Sequence, residues 1–134
     1  MKSARPDMTW VLNDLVSFNG ARHAMILSAD GLAQFHSEYV TRDLADSMAA
    51  TGAGLASLCN SITKFVSDTP TPWELNMTRA QDGFVFVIAA GEGSLLITSA
   101  ASDVDINGFT DRMLTVIGRM RSGLGISARQ ADQG

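Results

Sequence analysis

From Ser47 to Thr63 the chain (SMAATGAGLASLCNSIT) carries no charged side chain, yet its apolar positions fall at helical spacing. A helix on the surface of a monomer turns one face to water and normally places Lys, Glu or Arg there. An uncharged amphipathic helix is therefore expected to be covered on two sides. Met48, Leu55, Leu58 or Cys59, Ile62 and Phe65 recur every three or four residues and are expected to pack on the domain's own core. Ala45, Ala49, Gly52, Ala53 and Ala56 form a second stripe of small residues, which would let the backbone of a second copy approach closely. Gly52 and Gly54 each lower helix stability by roughly 1 kcal/mol relative to alanine, so a packing gain should offset them.

The composition agrees with a covered helix. The 134 residues suffice for one domain with its own core, and 46% hydrophobic against 18% charged residues is a charge-poor balance that favours an oligomer. A formal net charge of −4, without clusters of Lys and Arg, excludes a sequence-independent grip on nucleic acid phosphates. No apolar run approaches the ~20 residues of a membrane span. The opening MKSARPDMTW lacks the apolar centre of a secretory leader, and Cys59 has no second cysteine to pair with. A cytoplasmic protein is expected.

Along the chain, a lead over residues 1–7 precedes a helix over 8–18, with Trp10 or Val11, Leu15 and Phe18 inward, Asp7 or Thr9 as cap and Asn19-Gly20 as stop. Residues 21–29 and 32–37 read as two strands joined at Asp30-Gly31, a hairpin signal because glycine tolerates the positive φ such turns require. Thr41 stands where an N-cap should, with Asp43 in the first turn, and the uncharged helix follows to about Val66. After the break SDTPTP, Trp73, Leu75 and Met77 alternate with Glu74, Asn76 and Thr78, a strand with one covered face. The strand FVFVIAA is apolar on both faces, and Gly91-Glu92-Gly93 leads into SLLITS. A last helix over 105–122 buries Ile106, Phe109, Met113, Val116 or Ile117 and Met120, and a flexible tail is expected over 123–134. The order α-β-β-α-β-β-β-α over residues 8–122 implies an α+β domain. It is a five-stranded, mainly antiparallel sheet with the long helix on one face and the other two on the opposite face.

Motifs for chemistry are weak. Asp103-Val104-Asp105-Ile106-Asn107-Gly108 matches the first half of a calcium loop, but position twelve, which needs a bidentate carboxylate, is Leu114. Gly91-Glu92-Gly93-Ser94 joins two strands and lacks the Gly-Lys-Ser/Thr of a phosphate loop. Ser28, Ser94 and Cys59 lack a nucleophile elbow, and His23, His36 and Cys59 lack paired metal-ligand spacing. Asn76-Met77-Thr78 is a sequon without a secretory leader and reads as strand. Neither catalytic residues nor a cofactor is expected, and Trp73 is either an interface anchor or a core residue.

Leu27-Ser28-Ala29-Asp30-Gly31-Leu32, Asp82-Gly83-Phe84-Val85-Phe86-Val87 and Ala89-Ala90-Gly91-Glu92-Gly93-Ser94-Leu95 resemble the motifs of the roadblock/dynein light-chain family, and the helix order around them agrees. The likeness spans residues 8–121 and is greatest to bacterial members: MglB-type regulators of a Ras-like GTPase and the roadblock component of actinobacterial conservons. It implies a roadblock fold of profilin-like order. It also implies a homodimer in which third strands pair edge to edge and middle helices pack together, mapping the interface onto Ala45, Ala49, Gly52, Ala53, Ala56, Trp73, Leu75 and Met77. It further implies a non-catalytic adaptor that binds a small Ras-like GTPase through the paired middle helices and modulates its hydrolysis, with a histidine-kinase-like protein as a further partner. Arg42, Asp43, Asp46, Ser47 and Thr51 are the residues expected to touch the GTPase. A pure scaffold and a small-ligand sensor are the alternatives, the sensor requiring an internal pocket.

Overall fold

Period-two alternation in the strands decides the architecture. In β1 (Ala21–Ser28) Ala24 and Ile26 point to one face of the sheet, Met25 and Leu27 to the other. In β4 (Gly83–Ala89) Phe84, Phe86 and Ile88 alternate with Val85 and Val87, and in β5 (Ser94–Ala101) Leu96 and Ala100 alternate with Leu95 and Ile97. A sheet apolar on both faces must be covered on both. The computed structural model describes residues 7–133, with side chains through Ser122. α1 (Thr9–Val16) and α3 (Ile106–Gln133) cover one face, and α2 (Arg42–Ile62) covers the other.

With β2 (Ala33–His36) and β3 (Leu75–Ala80) the sheet has the order β2-β1-β5-β4-β3, antiparallel throughout. The expected α+β fold and its element order are therefore observed. The α1/α3 side is the larger core. Leu12, Leu15, Phe109 and Met113 are fully enclosed there, and the Phe109 ring meets Phe18 at 5.5 Å and Phe86, edge on, at 5.8 Å.

Local chemistry sets the ends. Thr41 caps α2, its Oγ1 accepting from the Leu44 amide at 3.2 Å, with Asp43 in the first turn. Asp7 Oδ1 accepts from the Thr9 amide at 2.9 Å, which holds the Asp7 carboxyl below its usual value. At the β4–β5 turn Gly91, Glu92 and Gly93 all take positive φ (82°, 54° and 73°), so two of three positions require glycine's freedom. Asp105, in the half-matched calcium loop, is a helix cap: its Oδ1 accepts from Gly108 N at 3.3 Å.

Several expectations are corrected. Of the pair Trp10 or Val11, Val11 is the core residue, and Trp10 lies outside with the Arg119 guanidinium 5.4 Å from its ring. Ile106 is exposed at the first turn of α3, whereas Val116 and Ile117 are both buried. α2 ends at Ile62 and continues as a 3-10 turn, Thr63–Phe65. α3 runs beyond the expected stop at Ser122, and the expected tail, 123–134, lies outside the residues whose side chains are described. Trp73 precedes β3 and packs partly on the α2 side, while Leu75 and Met77 pair with Ile88 and Phe86 and so share the opposite face. The alternation through Trp73 fails because the strand begins only at Leu75.

The largest correction concerns α2. Ala45, Ala49, Gly52 and Ala56, expected between two copies, are buried against the chain's own sheet, and Ala53 is partly buried beside them. The sheet supplies the bulk on this face through Leu27, Val87, Leu95 and Ile97, so the helix above it has room only for small residues. At Gly52 an added Cβ would collide with Ile97 Cδ1 and lie 3.5 Å from Leu27 Cδ1. Leu58, Ile62 and Phe65, expected to hold the domain, face outward instead, and Cys59 takes the inward position. Met48 and Leu55 lie between, partly buried at the margin of the α2-side cluster.

Candidate functional site

The inward stripe of α2 and its large apolar stripe are offset by one residue, about 100° around the helix. Leu44, Met48, Thr51, Leu55, Leu58, Ile62 and Phe65 follow alternating steps of four and three, the 3.5-residue period of a helix–helix seam. Leu58 and Ile62 are each 67% exposed and Phe65 is fully exposed, with Val66 beside it. Burying one such side chain is worth roughly 1.5–3 kcal/mol, so a contiguous row of them marks a contact surface.

The roll of α2 decides which flank carries the row. Ala50 and Ala53 face the β1–β2 connection, where a Cβ on Gly31 would sit 3.7 Å from Ala50 Cα. Leu44 and Met48 lie on the other flank, where they line a cavity together with Val85 of β4 and residues of β1 and β5. Beyond β4 lies β3, whose outer edge has no partner among the described residues. Leu75 and Met77 are about half exposed on that edge strand. The seam and the open edge thus stand on the same side of the molecule. Leu44 escaped the sequence reading, and the strict four-and-three spacing was the signal that could have found it; Val66 lies off that series.

Arg42, Asp43, Asp46, Ser47 and Thr51 are all exposed, as a contact role requires, but they do not form one cluster. At about 100° per residue, Arg42 and Asp46 lie on the Ala50 flank, and Ser47 and Thr51 near the seam. Thr51 Oγ1 donates to Ser47 O at 3.0 Å, a bond within the helix. Among the described residues no three His, Cys, Asp or Glu side chains converge on a metal site, and no helix is long and apolar enough to cross a membrane. His36 Nδ1 lies 3.0 Å from Ser37 O, and Cys59 is enclosed under α2.

The sequence profile of the Roadblock/LC7 domain matches residues 9–100. The chain belongs to the Roadblock/LC7 family. Among solved structures, the Roadblock/LC7 domain from Streptomyces avermitilis is similar at a TM-score of 0.81 and 27% identity, over 88% of this chain and 98% of that one. MglB of Myxococcus xanthus matches at a TM-score of 0.75 and 11% identity, over 86% and 92% of the two chains. The gliding protein MglB of Thermus thermophilus matches at 0.70 and 19%, over 81% of each. These last two likenesses show the fold. No curated protein sequence matches the chain. The Roadblock/LC7 match stops within β5, so α3, which supplies Phe109 and Met113, completes this Roadblock/LC7 core from outside the matched region.

Proposed function

We propose that this Roadblock/LC7 protein is a cytoplasmic, non-catalytic homodimeric adaptor that binds a small Ras-like GTPase and modulates its nucleotide cycle, with a histidine-kinase-like protein as a further partner. The observation that carries the reading is the adjacency of the outward α2 seam and the unpaired β3 edge. A two-fold axis beside that flank would pair β3 with its copy and lay seam on seam, covering Leu58, Ile62 and Phe65 on the α2 face, while Leu75 and Met77 would meet the copy's edge strand on the opposite face. Trp73 then supports the edge from beneath. The small residues Ala45, Ala49, Gly52 and Ala56 bring the helix down onto its sheet and leave the pairing to the large ones. The polar start of α2, with Arg42, Asp43, Asp46 and Ser47, stays open for the GTPase, as the likeness to MglB-type regulators implies, and Thr51 stands where that surface meets the seam.

Two measurements test this. Light scattering at micromolar concentration should give twice the chain mass, and a single-chain mass removes the dimer. Mixed with a small Ras-like GTPase that is its partner, the protein should co-elute and change the hydrolysis rate, and the double charge reversal Arg42→Glu with Asp46→Arg should weaken co-elution. Co-elution at an unchanged rate makes it a scaffold. Absence of both effects overturns the partner.

A further inference from the structure

Strand β3 is apolar on one face only, and that face lies open. Leu75 and Met77 stand opposite Ile88 and Phe86 and so point to the α1/α3 side of the sheet, while Asn76 and Thr78 point to the α2 side. On the α1/α3 side, α3 lies over β5 and β4. Thr98 Oγ1 donates to Met113 Sδ at 2.9 Å, the Phe109 ring meets Phe86, and Arg121 Nε donates to Ala90 O at 3.4 Å. Arg112 and Arg119 reach from α3 over Phe18 and Trp10, towards α1. α1 is tied to the β2 end of the sheet, where Asn13 Oδ1 accepts from Glu38 N at 2.8 Å. At about 100° per residue, Thr110, Leu114 and Arg121 therefore lie on the opposite flank of α3, beside β3. Leu114 is level with Met77, because its neighbour Met113 bonds to Thr98, and Thr98, Phe86 and Met77 share one rung of the sheet. The result is a groove with Leu75 and Met77 on its floor and Leu114 on its wall, each about half exposed.

Among the described residues, the charges on this floor and wall are two arginines, one at each end. Arg79 shares the face of Leu75 and Met77 and lies 5.8 Å over the Phe84 ring, and Arg121 stands beside Ala90. Asp111 points outward from α3, and Asp82 and Glu92 lie in the turns beyond the strand ends. From the rung of Phe84 to Ala90 is about six residues, roughly 20 Å. A sheet face offers side chains and no free backbone groups, so an occupant must satisfy its own N–H and C=O groups, as a helix does. About 20 Å is the rise of roughly 13 helical residues. We infer that the groove docks an amphipathic helix of a partner protein, its apolar stripe on Leu75, Met77 and Leu114 and carboxylates near its two ends on Arg79 and Arg121. In the proposed homodimer, pairing of the β3 edges sets two such grooves side by side. With strands about 4.8 Å apart and α3 over the β4–β5 pair, the two α3 axes stand about 19 Å apart, twice the 8–10 Å of packed helices. The merged channel therefore admits one helix per dimer. That count rests on the homodimer; the groove in each chain does not, and neither involves the GTPase surface at the start of α2.

The test titrates the full chain into fluorescein-labelled peptides of about 16 residues, long enough to span the groove as a helix, and reads anisotropy. A peptide of Ala and Gln with one stripe of Leu and with Glu in its first and last turns should bind saturably at micromolar concentration and become helical on binding. The same peptide with Lys in place of Glu should bind on the order of tenfold more weakly. Leu114→Gln should weaken the Glu peptide on the order of tenfold, with the protein's circular dichroism and light-scattering mass unchanged. Arg79→Glu combined with Arg121→Glu should reverse the preference, so that the Lys peptide binds more tightly. No saturable binding, equal affinity for the two peptides, or full binding by Leu114→Gln overturns the groove. Saturation at one peptide per two chains supports the shared channel, and one peptide per chain in a protein of two-chain mass overturns it. A single-chain mass with one peptide bound removes the dimer and upholds the groove.

Discussion

At the scale of single residues, two glycines look alike in sequence and differ in what surrounds them. A Cβ at Gly52 would meet Cδ1 of Ile97, the far end of a side chain that can rotate away. A Cβ at Gly83, the first residue of β4, would run into the carbonyl oxygen of Ala100, which is held in the β4–β5 ladder. Alanine gains roughly 1 kcal/mol over glycine inside a helix, which offsets much of the repacking at residue 52. Gly52→Ala is therefore expected to change stability by less than about 1 kcal/mol, whereas Gly83→Ala costs about 2–3 kcal/mol, the upper range for overpacking. Urea denaturation of both variants checks the order, and a Gly52→Ala variant less stable than Gly83→Ala contradicts the geometry.

At the scale of elements, α2 shows what a single sequence can and cannot tell. Strand alternation, the Asp30-Gly31 turn and the Thr41 cap were legible because each is a local rule: period two, a positive φ, an oxygen facing free amides. The two stripes of α2 were also legible, but which one faced the sheet was not. That choice depends on the volume already contributed by Leu27, Val87, Leu95 and Ile97, residues far apart in the chain that meet only once β1, β4 and β5 are assembled. The stripes should now respond oppositely. Ala49→Leu, which forces bulk between helix and sheet, should cost about 1–3 kcal/mol of fold stability. Leu58→Glu combined with Ile62→Glu should leave the circular dichroism spectrum unchanged while shifting the light-scattering mass from two chains to one. If the glutamates unfold the chain and the leucine does not, the orientation of α2 is wrong.

At the scale of the whole molecule, the open edge of β3 can be tested without touching the core. Glu74 O accepts from Ala89 N at 2.9 Å and Leu75 stands opposite Ile88, so antiparallel geometry assigns the β4-facing amides to Asn76 and Thr78. The amides of Leu75, Met77 and Arg79 then point outward, where a second β3 would accept them. Proline lacks an N–H, and an edge strand tolerates it where that N–H faces away from the sheet. Met77→Pro should therefore keep the fold, with a thermal midpoint within a few degrees, while a paired dimer loses the donor once in each copy. At about 0.5–1.5 kcal/mol net per hydrogen bond, two lost bonds weaken dimerisation on the order of tenfold to a hundredfold. Thr78→Pro is the control, since it removes a bond to β4 and should lower fold stability directly. Sedimentation across a concentration series separates the outcomes. A Met77→Pro variant that unfolds contradicts the β3–β4 register, and one that dimerises as tightly as the parent moves self-association from the β3 edge to the α2 seam alone.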